Sequence, residues 1–376
     1  MKKILIFVLF LGISWQAFAF DPDQIQIHGF ASQGYLLSNH YDYLSAETEK
    51  GTVEFNEFGL NVTSNLTDRF RLGMQFFARD LGDLGNDKFT IDWAFGDYRY
   101  RNWLGLRFGK MKKAIGLYNQ SRDVDVARIG IFLPLSVYNE NARTAQQSVK
   151  GFALYGTLPR GFDYQIQYGT LDSDFETEAL DTPNAVSNEV SDNEYALHLL
   201  WNTPLDGLKL VGTLTRSEWS SVWEAEPSNW EFEFERKEWI VGVEYTIGEL
   251  TCAVEYSQAA FEMVMKDFPG MEYTSEAYYG LVTYRLTDWF VVGTSYAVFY
   301  EDMDDKEGEN YEPRGLPKAA GWFKDLAIST RFDVNEYWLI KLEGHWINGL
   351  NGASGYEGDN PSEEGFLVAI KMTCSF

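Results

Sequence analysis

Histidine is the side chain best suited to acid–base chemistry near neutral pH, and the chain has four. They are His28, His40, His198 and His345. A hydrolase would need His28 or His345, whose sequence neighbours place them on polar strand faces, beside a reactive serine or aspartate. The sequence has no Gly-x-Ser-x-Gly motif, no zinc motif and no glycine-rich phosphate loop. It therefore predicts a protein that is not an enzyme and that has no cofactor or metal, with a hydrolase as the less favoured alternative.

Charged side chains are unevenly distributed along the chain. Residues 97–150 hold ten basic and four acidic side chains and so carry +6, whereas the whole chain carries −25. Charges that face one another across a narrow, low-dielectric passage create a field that selects solutes. The residues that we expect to line such a passage are Arg71, Arg107, Lys110, Arg122, Asp123, Asp125, Arg128, Lys341 and Glu343. For Lys110, Lys112 and Lys113, and for Arg99 and Arg101, a position beside lipid headgroups is an equally good interpretation.

The elements that would position these residues are β-strands. Apolar residues alternate with polar or small ones over residues 70–78, 162–168 and 338–345, which is the period of a strand with one apolar and one polar face. Beyond the N-terminus, no continuous apolar run reaches the length of a membrane-spanning helix. Any membrane-spanning part must then be a β-barrel. A soluble β-sandwich also alternates, so the pattern alone leaves it open.

The lengths of the connections favour the barrel. Seven short connections with turn residues alternate strictly with eight longer polar ones, which predicts sixteen strands. Aromatic residues next to the short turns, such as Trp103, Phe162 and Trp289, fit an interfacial girdle at one rim. We place the strands near residues 24–37, 51–66, 69–80, 89–100, 103–112, 148–158, 162–171, 193–202, 207–217, 230–246, 250–260, 273–286, 289–300, 321–333, 337–347 and 364–376.

The N-terminus has the pattern of a secretory signal peptide. Lys2 and Lys3 precede an apolar run from Ile4 to Trp15, and small residues follow at Ala17 and Ala19. The run is shorter than the roughly 20 residues of a spanning helix. We therefore expect residues 1–19 to be a cleaved signal peptide and residues 20–376 to form the barrel.

The two cysteines have the outward phase of their strands. Cys252 and Cys374 each share this phase with apolar neighbours and lie on strands several places apart. They are expected to behave as small apolar residues and to form no disulfide.

The final strand carries the most specific resemblance. Its apolar face runs through Phe366, Val368, Ile370, Met372 and Cys374 and ends in phase on Phe376. This resembles the C-terminal strand of bacterial outer-membrane proteins, and the mature chain is similar in strand number and size to Gram-negative outer-membrane porins. The resemblance implies an all-β, transmembrane antiparallel barrel with short periplasmic turns and long external loops. It also implies passive diffusion of small hydrophilic solutes or ions, and a homotrimer.

The third long connection, residues 113–147, is richer in aliphatic residues and arginines than a solvated loop. In porins the third long loop enters the lumen, so the resemblance implies a constriction here. Residues 107–118 also resemble the strand-to-loop junction of phosphate-selective porin-like proteins, with Ala114 and Ile115 in place of the expected Pro and Phe. A basic constriction favours a weak preference for anions. The alternative is a structural or adhesive barrel with a plugged lumen.

The acidic excess lies in other connections. Residues 172–192 contain seven acidic and no basic side chains, and residues 301–312 contain seven acidic side chains with Lys306. Clustered carboxylates bind calcium, but neither stretch has the ligand spacing of an EF-hand loop. We expect a solvated surface that contacts outer-membrane lipid and bridges lipopolysaccharide through divalent ions. The negative charge disfavours nucleic acid as a partner.

Overall fold

The computed structural model describes residues 24–44, 46–141, 143, 148–171, 186–225, 228–265, 270–355 and 361–376. Side chains are described throughout these ranges except at 186–192, 221–225 and 228–230. The expected signal peptide 1–19 lies outside the described residues, as do parts of the connections 113–147 and 172–192.

Sixteen long strands make up most of the described chain. Their bounds are β1 (Ile25–Asn39), β2 (Phe55–Thr67), β3 (Phe70–Leu81), β4 (Thr90–Arg101), β5 (Leu104–Lys112), β6 (Ser148–Leu158), β7 (Phe162–Leu171), β8 (Val186–Asn202), β9 (Leu208–Ala225), β10 (Ser228–Ile247), β11 (Leu250–Met265), β12 (Met271–Thr287), β13 (Phe290–Tyr300), β14 (Trp322–Asn335), β15 (Trp338–Asn348) and β16 (Glu364–Ser375). Each strand pairs antiparallel with its sequence neighbours, and the sixteen close into one barrel.

The barrel closes where the two ends of the chain meet. β1 pairs antiparallel with β16, with Gly34 opposite Lys371. The backbones of Gly29 and Phe376 exchange two hydrogen bonds, at 3.1 and 3.0 Å. A closed sheet leaves no unpaired edge, which is what a β-structure in a bilayer requires. The predicted transmembrane antiparallel barrel of sixteen strands is confirmed.

Side chains alternate between an apolar outer face and a mostly polar inner one. Ile166 and Val254 are 48% and 51% exposed on the outer face, whereas Gln167 and Glu255 beside them are buried inside. At the short-turn rim, aromatic rings pair across neighbouring strands, as in Phe162 with Trp201 at 4.9 Å between centroids. An outer surface of this kind suits lipid and not water, which excludes the soluble sandwich.

Five neighbouring strands extend further toward the long-loop end than the sequence analysis predicted. β9 continues from the expected end at residue 217 to Ala225, and β11 continues from residue 260 to Met265. β8, β10 and β12 begin earlier than expected, β8 by seven residues. Just beyond the predicted ends of β9 and β11, Trp219 and Phe261 line the interior, so these aromatic residues lie on the inner face.

The long-loop end is closed in part by packed connections. The two-residue strands Asp42–Tyr43 and Ala353–Ser354 pair with each other there. Buried Leu36, Tyr43 and Trp322 belong to one hydrophobic cluster with residues of several loops. No helix in the described ranges is long and apolar enough to cross a bilayer. Cys252 and Cys374 are both free thiols.

The orientation of the two faces predicts the effect of a charge on β7. Ile166→Arg would place a guanidinium on the outer face near the middle of the strand, where it should destabilise the barrel by about 2–4 kcal/mol. Gln165→Arg, at the adjacent inner-facing position, should destabilise the barrel far less, because its guanidinium faces the lumen. Urea unfolding in lipid vesicles measures both, and equal losses for the two variants would contradict the assigned faces.

Candidate functional site inside the barrel

The connection between β5 and β6 crosses the interior of the barrel. We call residues 113–141 and 143 the inner segment. Its backbone N–H of Ala114 donates to the Gln167 side chain of β7 at 2.8 Å. Its N–H of Ile131 donates to Glu343 of β15, also at 2.8 Å. β7 and β15 lie half a turn apart in the sixteen-strand order. The inner segment therefore spans the lumen from one wall to the other.

Asp125 is the point at which the inner segment is bound most closely to the wall. The Lys341 ammonium, fully buried on β15, donates to its carboxylate at 2.7 Å and to the carbonyls of Asp125 and Gly130 at 2.9 and 3.0 Å. Thr373 of β16 donates to the other carboxylate oxygen at 2.5 Å. Burial alone would raise the pKa of Asp125, but Lys341, Lys371 and Arg128 hold it well below its ordinary value. We call Asp125, Lys341, Lys371 and Thr373 the Asp125 cluster.

Glu343 receives the next turn of the inner segment. Its carboxylate accepts the backbone N–H groups of Ile131 and Phe132 and the hydroxyl of Ser329 at 2.6 Å. His345 bonds to Glu343 through Nε2 at 2.9 Å and to Asp325 through Nδ1 at 2.8 Å. Both ring nitrogens of His345 are thus engaged by carboxylates, and Ser329 is directed at Glu343. His345 thus lies beside an aspartate, whereas Ser329 donates to Glu343 and not to His345, so these residues do not form the serine–histidine pair of a serine hydrolase.

A second cluster of charges binds the inner segment near β3 and β5. Arg122 donates to Glu140 at 2.8 Å, and Arg79 of β3 bonds to the other oxygen of Glu140 at 3.2 Å. Arg143 and Lys112 both pair with Asp123. Burial would raise the pKa of Glu140, but Arg122, Arg143 and Arg79 lower it to about 2. Each of these two buried carboxylates is thus paired with two cations.

Residues that the sequence analysis did not single out complete the network on the opposite wall. Glu255 of β11 is fully buried and accepts the hydroxyls of Tyr138 and Tyr279 at 2.5 Å each. Lys113 pairs with Glu194 of β8 at 2.6 Å. Glu194 and Glu255, like Lys371, occupy inward phases of alternating strands. A search for charged residues in the inward phase would have found them.

The expected lining residues fall into three groups, two of which lie inside the barrel, whereas Lys110 does not. Arg122, Asp123, Asp125, Arg128, Lys341 and Glu343 belong to the contacts between the inner segment and the wall. Arg71 and Arg107 lie nearer the short turns and share Asp97, at 3.4 and 3.0 Å. Arg107 also lies over the Phe95 ring.

The expectation that Lys110 lines the passage is wrong. Its Cα is opposite those of Ala94 and Lys150, in the phase of the exposed side chains Leu106 and Phe108. Residues directly opposite in an antiparallel pair point to the same face, so Lys110 lies on the outer surface. Its positive charge suggested a lumen position, and its strand phase does not support one.

Cavities lie on both sides of the inner segment. The outer cavity, toward the long loops, measures about 370 Å³ and is lined by residues that include Lys113, Val137, Trp219, Arg236, Glu238 and Phe261. Three cavities of about 410, 470 and 310 Å³ lie toward the short turns. His28 lines the first of these and His345 the third, so these two histidines face the interior without sharing a cavity.

Comparison with known proteins supports the fold. No family model matches the chain, and no curated protein matches it in sequence. Three solved structures cover 94% of it. An anion-selective porin from Comamonas acidovorans has a TM-score of 0.61, 13% identity and 99% coverage of its own chain. For the outer membrane channel DcaP of Acinetobacter baumannii the TM-score is 0.60, the identity 10% and the coverage of its own chain 97%. For the trimer form of OmpT, an outer membrane protein of Vibrio cholerae, the TM-score is 0.58, the identity 12% and the coverage of its own chain 99%. The chain has the fold of these barrels.

The compensated Glu140 predicts a loss of stability in acid. Its pKa falls from the ordinary 4.5 to about 2 on folding, so its contribution is present above pH 4.5 and is lost as the pH falls toward 2. That contribution is on the order of 3 kcal/mol. Glu140→Gln should therefore be less stable at pH 7 and lose less stability than the wild type between pH 4.5 and 2. Guanidinium unfolding in detergent at several pH values measures this.

The control for this measurement is Glu309→Gln on an exposed external loop, which should follow the wild-type curve at every pH. A Glu140→Gln variant whose stability changes with pH in parallel with the wild type would show that this carboxylate is not what titrates.

Proposed function

We propose that the chain is an outer-membrane channel through which small hydrophilic solutes or ions diffuse passively, and that the inner segment is its constriction. The observation that carries the proposal is an interior with cavities on both sides of one segment that is bound to the wall. A barrel of sixteen strands is wide enough to hold an aqueous passage, unlike one of eight. Passage then depends on exclusion and field and involves no turnover, so the protein is not an enzyme.

The expected location follows from the same surface. An apolar outer face with aromatic rings at the short-turn rim suits outer-membrane lipid, and residues 1–19 would serve as the cleaved export signal. The acidic external loops would contact lipopolysaccharide through divalent ions. A homotrimer agrees with the trimer form recorded for OmpT of Vibrio cholerae.

A weak anion preference would come from the short-turn side of the constriction. Around the inner segment, five of the ten basic residues of 97–150 pair with carboxylates of the wall or of the segment itself, so the +6 of the sequence does not act as a free field; they are Lys112, Lys113, Arg122, Arg128 and Arg143. Arg71 and Arg107 are the exception in their cavity, because two guanidinium groups share the single carboxylate of Asp97. The acidic external loops attract cations, and the narrower region is expected to dominate.

Selectivity gives a direct test with a matched pair of variants on one strand. Arg107→Gln removes one of the two charges beside Asp97 and should move the reversal potential across a salt gradient toward cation selectivity. Lys110→Gln removes the same charge three residues away on the outer face and should leave the potential unchanged. Planar-bilayer recordings of the wild type and both variants measure this. A strongly cation-selective wild type, or equal shifts for the two variants, would refute the assignment.

A barrel with a plugged lumen is the second candidate, and the density of contacts around the inner segment favours it. Conductance separates the two candidates. The channel predicts that the wild type conducts, and that Asp125→Asn, which leaves Lys341 without its buried counter-ion, gives larger or noisier currents. The plugged barrel predicts a silent wild type that conducts only after Asp125→Asn. Asp206→Asn, at an exposed short turn, is the control and should behave as the wild type in either case.

A further inference from the structure

Near their long-loop ends, β9 to β12 carry aromatic residues on the inner face. On β10, Glu231 and Glu233 are exposed on the outer face, whereas Phe232 and Phe234 point inward. The lipid-facing part of the same strand has the opposite arrangement, with Val241 exposed outward and Glu238 buried inside. Outside the bilayer the outer face meets water, so the apolar residues must be inside. We call Trp219, Phe232, Phe234, Phe261 and Tyr273 the aromatic wall.

The aromatic wall is a continuous surface across four strands. The ring centroids of Trp219 and Phe234 are 5.4 Å apart, those of Phe234 and Phe261 5.8 Å, and those of Phe261 and Tyr273 5.1 Å. Trp219, Phe261 and Tyr273 line the outer cavity. A solute that reaches the inner segment from the long-loop side therefore meets an apolar surface first.

Two buried polar atoms at the same cavity lack partners among the described residues. Glu238 is 7% exposed; its Oε1 accepts from Arg236 at 2.9 Å and Ser257 at 3.0 Å, and its Oε2 has no partner. The hydroxyl of Tyr43, which is 3% exposed, also has none. Both residues line the outer cavity. A buried acceptor without a donor is costly, so a carboxylate oxygen in this state is suited to a donor on a ligand.

The other charges of the cavity limit what the ligand can be. The Lys113 ammonium is already paired with Glu194, and the Arg236 guanidinium with Glu238. Among the described lining residues both cations are therefore compensated, which disfavours an anionic solute. Besides the apolar wall, the described lining offers one carboxylate oxygen and one tyrosine hydroxyl without partners, and its other polar residues include Glu301 and Asn351, which bond to each other. Its volume of about 370 Å³ is in the range of small-molecule sites.

We propose that the outer cavity binds small uncharged aromatic solutes that carry a hydroxyl group, that is, phenols. The ring packs against Trp219, Phe261 and Tyr273, and the hydroxyl donates to Oε2 of Glu238. Binding itself needs no conduction. Its role as a capture step before passage rests on the proposed channel.

Calorimetric titration of the full chain in detergent with 4-methylphenol tests the site. We expect saturable binding of one molecule per chain. The matched ligand 4-methylanisole, which has the same ring but no donor, should bind at least about tenfold more weakly. Equal binding of the two ligands would show partitioning into an apolar surface without recognition and would overturn the proposal. Tighter binding of benzylamine than of 4-methylphenol would overturn the phenol class in favour of amines.

Variants on both sides of the cavity keep the test independent of any one substitution. Glu238→Gln should weaken binding of 4-methylphenol about tenfold and reduce its advantage over 4-methylanisole. Phe261→Ala should weaken both ligands alike, because it removes part of the wall. His198→Ala, in a short-turn cavity, is the control and should bind as the wild type. Unchanged binding in both outer-cavity variants would refute the site.

Conductance of the same preparations separates this proposal from the channel. A silent barrel that still binds 4-methylphenol through Glu238 would refute the channel and retain the site. A conducting barrel that does not bind 4-methylphenol would refute the site and retain the channel.

Discussion

Closure of the hydrogen-bonded sheet is the constraint on which the rest of the structure depends. In a bilayer every backbone polar group needs a partner, and β1 meets β16 so that none is left at an edge. Sixteen strands then enclose more space than inward side chains can fill. The space must hold water, protein or both. The inner segment is the protein part, and it brings its own unpaired backbone groups, which the wall has to satisfy. This explains why Glu343 accepts two backbone N–H groups and why Gln167 and Glu255 each accept one.

The ionic contacts position the inner segment more than they stabilise the barrel. Removing a carboxylate and an ammonium from water costs several kcal/mol each, and their attraction offsets this only with good geometry and further hydrogen bonds. Asp125 meets that condition, since Lys341 and Thr373 engage different oxygens of it. Such pairs are specific: a shift of the segment by one residue would leave buried charges without partners. The expected result is one defined path across the lumen, and a constriction needs a defined path.

The sequence predicts the wall better than what lies inside it. Sixteen strands follow from alternation and turn spacing because both are local and recur sixteen times. The partners of the inner segment are remote in sequence: Asp125 and Lys341 are 216 residues apart, and no local pattern joins them. Lys110 shows a different limit: its charge favours a position in the lumen, whereas its strand phase places it on the outer surface. The longer β9 and β11 show a third limit, because the aromatic residues just beyond their predicted ends, Trp219 and Phe261, lie on the inner face and do not continue the apolar outer face.

The exchange of faces along β10 has a consequence for passage. The same two-residue alternation continues along the whole strand. Its inner face is polar beside lipid and aromatic above the bilayer. The interior therefore changes chemically along its axis, from an apolar outer cavity to the charged contacts of the inner segment and then to the cavity of Arg71 and Arg107. If solutes pass as proposed, a solute that satisfies only one of these regions is delayed or excluded at another. Selection in the proposed channel is therefore divided among these three regions, and the charge of the constriction alone does not determine it.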